Sequence, residues 1–253
     1  MRALRVLLLF TCAAASAGAS AASSATPNAR QQLQAVLAAT PNPEHGAQLF
    51  KICASCHGTR GAGDPSGWPP EIAGQHPRVI AKELSDYRAG VRWYDPMERI
   101  AGLHVLHTPQ DIADAAAYVG SMPAFPQTTT GKGEWLERGA RLYKRDCQSC
   151  HGTQGQGSNA QFVPRVGGQQ YEYLLRQVHD VVDGRRPNMV PHHRWVLRGY
   201  VMEDLVGIAD YMSRLLLPAE HEAAAAARDN ASAADQTTAE KRGATAADDR
   251  GTR

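Results

Sequence analysis

The sequence is short of long apolar runs. The stretch from Val6 to about Ala15 falls well below the roughly 20 residues that a membrane-spanning helix needs, which argues against permanent anchoring by that segment. Alternating apolar and polar residues, the signature of a half-buried strand, are missing too, so nothing argues for a sheet. Charge of one sign is not in excess: the formal net charge is +2 over 253 residues, too small for the electrostatic footprint of a nucleic-acid-binding protein. Cysteine is scarce, with five in the chain. Four of those five fall in two tight clusters.

The clusters read Cys53-Ala54-Ser55-Cys56-His57 and Cys147-Gln148-Ser149-Cys150-His151. Cys-x-x-Cys-His is the attachment pattern of c-type haem. Each pair of thiols adds across the two vinyl groups of one porphyrin, and the adjoining histidine is held beneath the iron as its proximal ligand. Disulfides, a thioredoxin-like redox pair and a four-sulfur zinc site are the competing readings. A redox pair needs no histidine after its second cysteine, and a zinc site assembled from both pairs leaves both histidines without a task. The motifs also continue in parallel, as His57-Gly58-Thr59-Arg60-Gly61 and His151-Gly152-Thr153-Gln154-Gly155, so the expectation is two covalently bound haem c groups.

The N-terminus bears on where that chemistry occurs. Arg2 and Arg5 precede the apolar stretch, and small residues suited to cleavage follow at Ala17, Ala19 and Ala21, the layout of a secretory signal peptide over residues 1–21. Export places the mature chain in the bacterial periplasm, where free thiols oxidise unless occupied. Cys12 lies inside the signal. Leu9-Phe10-Thr11-Cys12 faintly matches a lipoprotein box, but Thr11 is larger than the residue usual at that place, so Cys12 is expected to be removed.

A register of 94 residues links the two halves. It relates Cys53 to Cys147, His57 to His151, Pro70 to Pro164, Gly74 to Gly168 and Gly90 to Gly184. A constant offset means a repeated domain, and copies of this size need the haem to enlarge their apolar cores. Each copy reads as three main helices joined by long loops: Gly46 to Cys53, Arg78 to Arg88 and Pro109 to Gly120 in the first, then Arg138 to Cys147, Tyr171 to Val182 and Glu203 to Leu216 in the second. Thr108-Pro109 followed by Asp111 is a good helix start.

The sixth ligand of each iron is sought between the second and third helices. Copy one offers Met97, His104 and His107; copy two offers Met189, His192 and His193, with His179 on the preceding helix. Both methionines follow a glycine-arginine helix end beside a proline, whereas the histidines have no positional partners across the copies. Met97 and Met189 are therefore assigned as sixth ligands, with Met122, Met202 and Met212 as packing residues. Thioether ligation raises the reduction potential and leaves no open position for oxygen or peroxide.

With these motifs the chain resembles the cytochrome c4 family, tandem dihaem class I c-type cytochromes of bacteria, over about Pro43 to Leu217. The resemblance implies an all-α fold of two class I cytochrome c domains, residues 43–125 and 133–217, each with about three main helices wrapped around a covalently bound haem. It implies His57 and Met97 on the first iron and His151 and Met189 on the second. It also implies that Gly46 with Phe50, and Gly139 with Tyr143, cross the last helix near Tyr118 and Tyr211. Two departures stand out. The second ligand loop is two residues shorter than the first, and Tyr143 precedes its cysteine by four residues where Phe50 precedes its own by three.

The resemblance further implies an electron-transfer protein and not an enzyme: a periplasmic one-electron carrier in a respiratory chain. Its donor would be a quinol-oxidising complex or a dehydrogenase, its acceptor a terminal oxidase, with peripheral membrane association at most. The competing class is a haem enzyme, or the electron-transfer subunit of a periplasmic dehydrogenase or peroxidase, in which one iron loses its methionine. Residues 218–253, rich in alanine and mixed charge, are read as a solvated tail, helical at its start and otherwise disordered.

Overall fold

The computed structural model describes residues 28–125 and 129–216. The expected signal segment with Cys12 and the expected tail from residue 218 lie outside the described residues. In the first half α1 spans Ala29–Ala38, α2 Pro43–His57, α3 Pro77–Arg88, α4 Asp95–Ala101 and α5 Pro109–Ser121. In the second, α6 (Leu136–Leu142) runs through a π-helical turn, Tyr143–Cys147, into α7 (Gln148–His151). Then come α8 (Tyr171–Val182), α9 (Pro191–Leu197) and α10 (Met202–Arg214). Among the described residues there is no strand, only an isolated bridge between Ser158 and Val163.

Local chemistry starts the helices that matter. Asn42 accepts from the backbone N–H groups of Glu44 and His45 ahead of Pro43, and Thr108 forms a capping box with Asp111 ahead of Pro109. Each side chain satisfies donors that the first turn leaves unpaired, while proline occupies a position needing no N–H. Three helices lie in what read as loop or linker. The chain α1 begins at a capping box between Asn28 and Gln31 and buries Val36 with Ala81, Leu106, Ile112, Ala113 and Ala116. The other two, α4 and α9, are seven residues each with proline in the first turn, too short to show a helical period.

In both halves the motif helix crosses the final helix at a glycine. A Cβ on Gly46 would press into the Asp114 carbonyl of α5, and one on Gly139 into the Gly207 carbonyl of α10. One turn further on, Phe50 meets Tyr118 and Tyr143 meets Tyr211, each pair with ring centroids 5.4 Å apart. Glycine and aromatic are four residues apart in both copies, so the extra residue of the second copy lies between Tyr143 and Cys147. The π turn is where it is absorbed.

The domains meet reciprocally. Gln75 Nε2 donates to the Arg165 carbonyl at 2.9 Å, and its Oε1 accepts from the Arg165 N–H at 2.9 Å. Ninety-four residues on, Gln169 Nε2 donates to the Glu71 carbonyl at 2.9 Å. Arg92 donates to Gln177 at 3.1 Å, and its counterpart Arg186 reaches Glu83, the counterpart of Gln177, at 3.3 Å. Contacts that exchange in this way are those of a two-fold interface, here built within one chain. Gln170, fully buried, locks it by accepting from the Glu71 N–H at 2.8 Å and donating to the Ala62 carbonyl at 2.9 Å.

Candidate functional site

The last turn of α2 and the segment from the π turn through α7 deliver the two clusters. Among the described residues no disulfide forms: Cys53, Cys56, Cys147 and Cys150 are all unpaired there. Among the described residues no three of His, Cys, Asp and Glu converge on an ion, so the two pairs do not assemble one zinc site. Burial pushes the Cys53 thiol up and the Cys147 thiol up to about 12, which keeps both as neutral thiols able to add to a vinyl group.

His57 and His151 are buried, and both are oriented by the same bond. Nδ1–H of His57 donates to the Pro70 carbonyl at 2.8 Å, and that of His151 to the Pro164 carbonyl at 3.0 Å. Burial lowers the pKa of each ring and the carbonyl only partly opposes it. Each imidazole is therefore neutral at pH 7 with its Nε2 lone pair as the remaining metal-binding edge. Left-handed glycines close the loop beneath the ring in both copies: Gly63 (φ 68°) and Gly157 (φ 68°) return their N–H groups to the carbonyls of His57 and His151. Two thiols and one oriented neutral imidazole, built twice, fit a covalently attached haem in each half.

The residues expected as second iron ligands have different surroundings in the two halves. Met97, half-buried, is the third residue of α4. Met189 is half-buried in the segment leading to α9 and packs against the cluster of Val181, Leu197 and Leu205. The third residue of α9 is His193. Its ring centroid lies 5.9 Å from that of His151, and its buried Nδ1 has no hydrogen-bond partner among the described residues. Burial, with His151, Arg186 and His192 nearby, brings the His193 pKa down to about 4. His104, His107 and His192 are exposed, in keeping with surface roles. Met212 is buried in the second core, whereas Met202 is exposed at the start of α10 and packs no core.

The sequence offers His193 as a candidate sixth ligand, but the 94-residue offset favours Met189 because copy one has no histidine at the matching place. The signal for His193 lay in Pro191, which opens a helix of the same length as α4.

The family model for cytochrome c matches residues 43–123 and again 136–215. Cytochrome c4 of Azotobacter vinelandii is 32% identical over 150 residues, covering 54% of this chain and 70% of that protein. The chain belongs to the cytochrome c4 family. As a cytochrome of that family it is a tandem electron-transfer protein with cytochrome c domains that imply covalent haem c. The crystal structure of reduced recombinant cytochrome c4 from Pseudomonas stutzeri superposes with a TM-score of 0.60 at 25% identity, covering 70% of this cytochrome and 100% of that chain. A relative named thiosulfate dehydrogenase electron acceptor, from Stutzerimonas stutzeri, is 30% identical over 175 residues, covering 64% of this cytochrome and 78% of that protein. No helix among the described residues is long and apolar enough to cross a membrane.

Proposed function

We propose that this cytochrome is a periplasmic dihaem carrier of single electrons between respiratory complexes. Cys53 and Cys56 hold one haem c and Cys147 and Cys150 the other. His57 and His151 would each ligate an iron, and Met97 would be the second protein ligand of the first. When bound, the two haems supply one-electron iron chemistry. The chain's part is to fix each imidazole through a proline carbonyl, enclose it away from water, and hold the two domains in one relative position through the reciprocal polar interface.

The observation that carries this reading is the twice-built set of unpaired thiols with a buried histidine aimed by a proline carbonyl. With two protein ligands each, the irons would have no vacancy for a substrate, which suits electron transfer. A dehydrogenase donor is favoured by the relative named as an electron acceptor of thiosulfate dehydrogenase; a quinol-oxidising complex is the other donor, and a terminal oxidase the acceptor. Redox contacts of this kind are small and transient.

The test is haem counting by alkaline pyridine spectra together with a redox titration of the purified protein. Two haems per chain, no carbon monoxide binding to the reduced form, and rapid oxidation by oxidase-containing membranes are expected. One haem per chain, or a wild-type haem that takes up carbon monoxide, would rule the carrier out in favour of an open, enzyme-like site.

A further inference from the structure

The two halves keep a constant register up to Gly90 and Gly184, then lose it. Met97 stands seven residues after Gly90; nine residues after Gly184 stands His193. The short helices show which of the two nearby candidates corresponds to Met97. Both α4 and α9 have seven residues, carry proline in the first turn and bury their last residue, Ala101 in one and Leu197 in the other. Counting along them puts Met97 and His193 at the same third position. The second copy has two more residues before its helix and three fewer after it, so matching by linear offset passes over the equivalence.

Position alone does not make a ligand, but the ring geometry does more. A metal sits about 2 Å from an imidazole nitrogen, and that nitrogen lies about 1 Å from its ring centre, so imidazoles on opposite sides of one iron have centres about 6 Å apart. His151 and His193 are 5.9 Å apart. The buried Nδ1 of His193 has no hydrogen-bond partner among the described residues, an uncompensated polar atom that a metal bond at that nitrogen would satisfy. Met189 meanwhile has an occupation, filling space among Val181, Leu197 and Leu205.

We infer that the second haem is ligated by two histidines, His151 and His193, while the first is ligated by His57 and Met97. This rests on the proposed haem-carrier reading. Since thioether ligation raises the potential, the first haem is then the higher of the two, filling first when the protein is reduced.

The test uses the oxidised holoprotein and the weak charge-transfer band that iron–thioether bonding gives near the red end of the spectrum. With two haems counted per chain, the band is expected at half the intensity of a protein with two methionine-ligated haems. Near-infrared magnetic circular dichroism should show one bis-imidazole iron. M97A abolishes the band, Met189→Leu leaves it unchanged, and His193→Met doubles it while raising the lower of the two potentials. A wild-type band at full intensity, or one halved by Met189→Leu, overturns the inference while leaving the carrier reading intact. One haem per chain overturns the carrier reading itself. If H193M fails to mature, the wild-type band and the Met189→Leu spectrum still decide.

Discussion

At the scale of single residues the second domain is held by the same small steric device as the first. Gly46 and Gly139 are where two helix backbones touch, and each faces a carbonyl that belongs to another helix and cannot step aside. Alanine at either site gains about 1 kcal/mol of helix propensity but forces the helices apart, a cost of about 3 kcal/mol at the upper end of overpacking effects. The cost wins. Gly139→Ala in the holoprotein should be less stable by about 2 kcal/mol in guanidinium unfolding; a midpoint at or above wild type would show that the crossing is looser than the structure has it. The aromatic pair one turn on loses its 5.4 Å spacing in the same variant, so near-ultraviolet circular dichroism should change with it.

At the scale of elements the π turn can be tested directly. The inserted residue lies between Tyr143 and Cys147, and Lys144 is an exposed member of that turn. Deleting Lys144 gives the second copy the spacing of the first, with Gly139 and Tyr143 still in place against α10. Two haems per chain and an unchanged far-ultraviolet spectrum are expected. Deleting Lys51 from α2, where no extra residue exists to remove, turns Cys53 and Cys56 by about 100° relative to Gly46, one residue of a 3.6-residue turn. Haem content should fall from two to one. Equal losses from both deletions would mean that the π turn is required for attachment. The main helices were legible in the sequence because most span three turns or more, and Thr108 with Asp111 marks the start of one with a recognisable cap. The haem-binding thiols and their histidines were legible because the chemistry forces them together along the chain. What was not legible was set by tertiary packing: α4 and α9 are too short to carry a period, and His193 gains its place from α9 folding back towards His151, not from spacing.

At the scale of the whole molecule, the two-fold repetition brings Arg92 and Arg186 together around a single carboxylate. Glu83 accepts from Arg92 at 2.7 Å, from Arg186 at 3.3 Å and from Asn188 at 3.0 Å, while its counterpart is the neutral Gln177. Burial pushes the Glu83 carboxyl up, but the charges of Arg92, Arg186 and Lys82 outweigh it and hold the group far below the ordinary carboxylate range. A carboxyl depressed by folding stabilises the native state in full above its unfolded value of 4.5. That contribution shrinks as pH falls below 4.5, because the unfolded chain takes up a proton that the folded one refuses. Glu83→Gln makes this residue match Gln177 and leaves two arginines facing each other across the interface. At pH 7 the variant should be less stable than wild type by about 2–3 kcal/mol, below the full range for breaking a buried pair because the site is partly open to solvent. The gap should narrow between pH 4.5 and pH 2.5, where wild type surrenders the advantage and the variant has none to lose. Unfolding midpoints of both holoproteins at pH 7, 4 and 2.5 measure it. A gap that stays constant with pH would assign the loss to packing and not to the charge that joins the domains. The same variant bears on electron transfer, since the domains keep one relative position only while this cluster and the Gln75 and Gln169 bonds hold. Weakening the cluster should slow exchange between the two irons before either site loses its own spectrum.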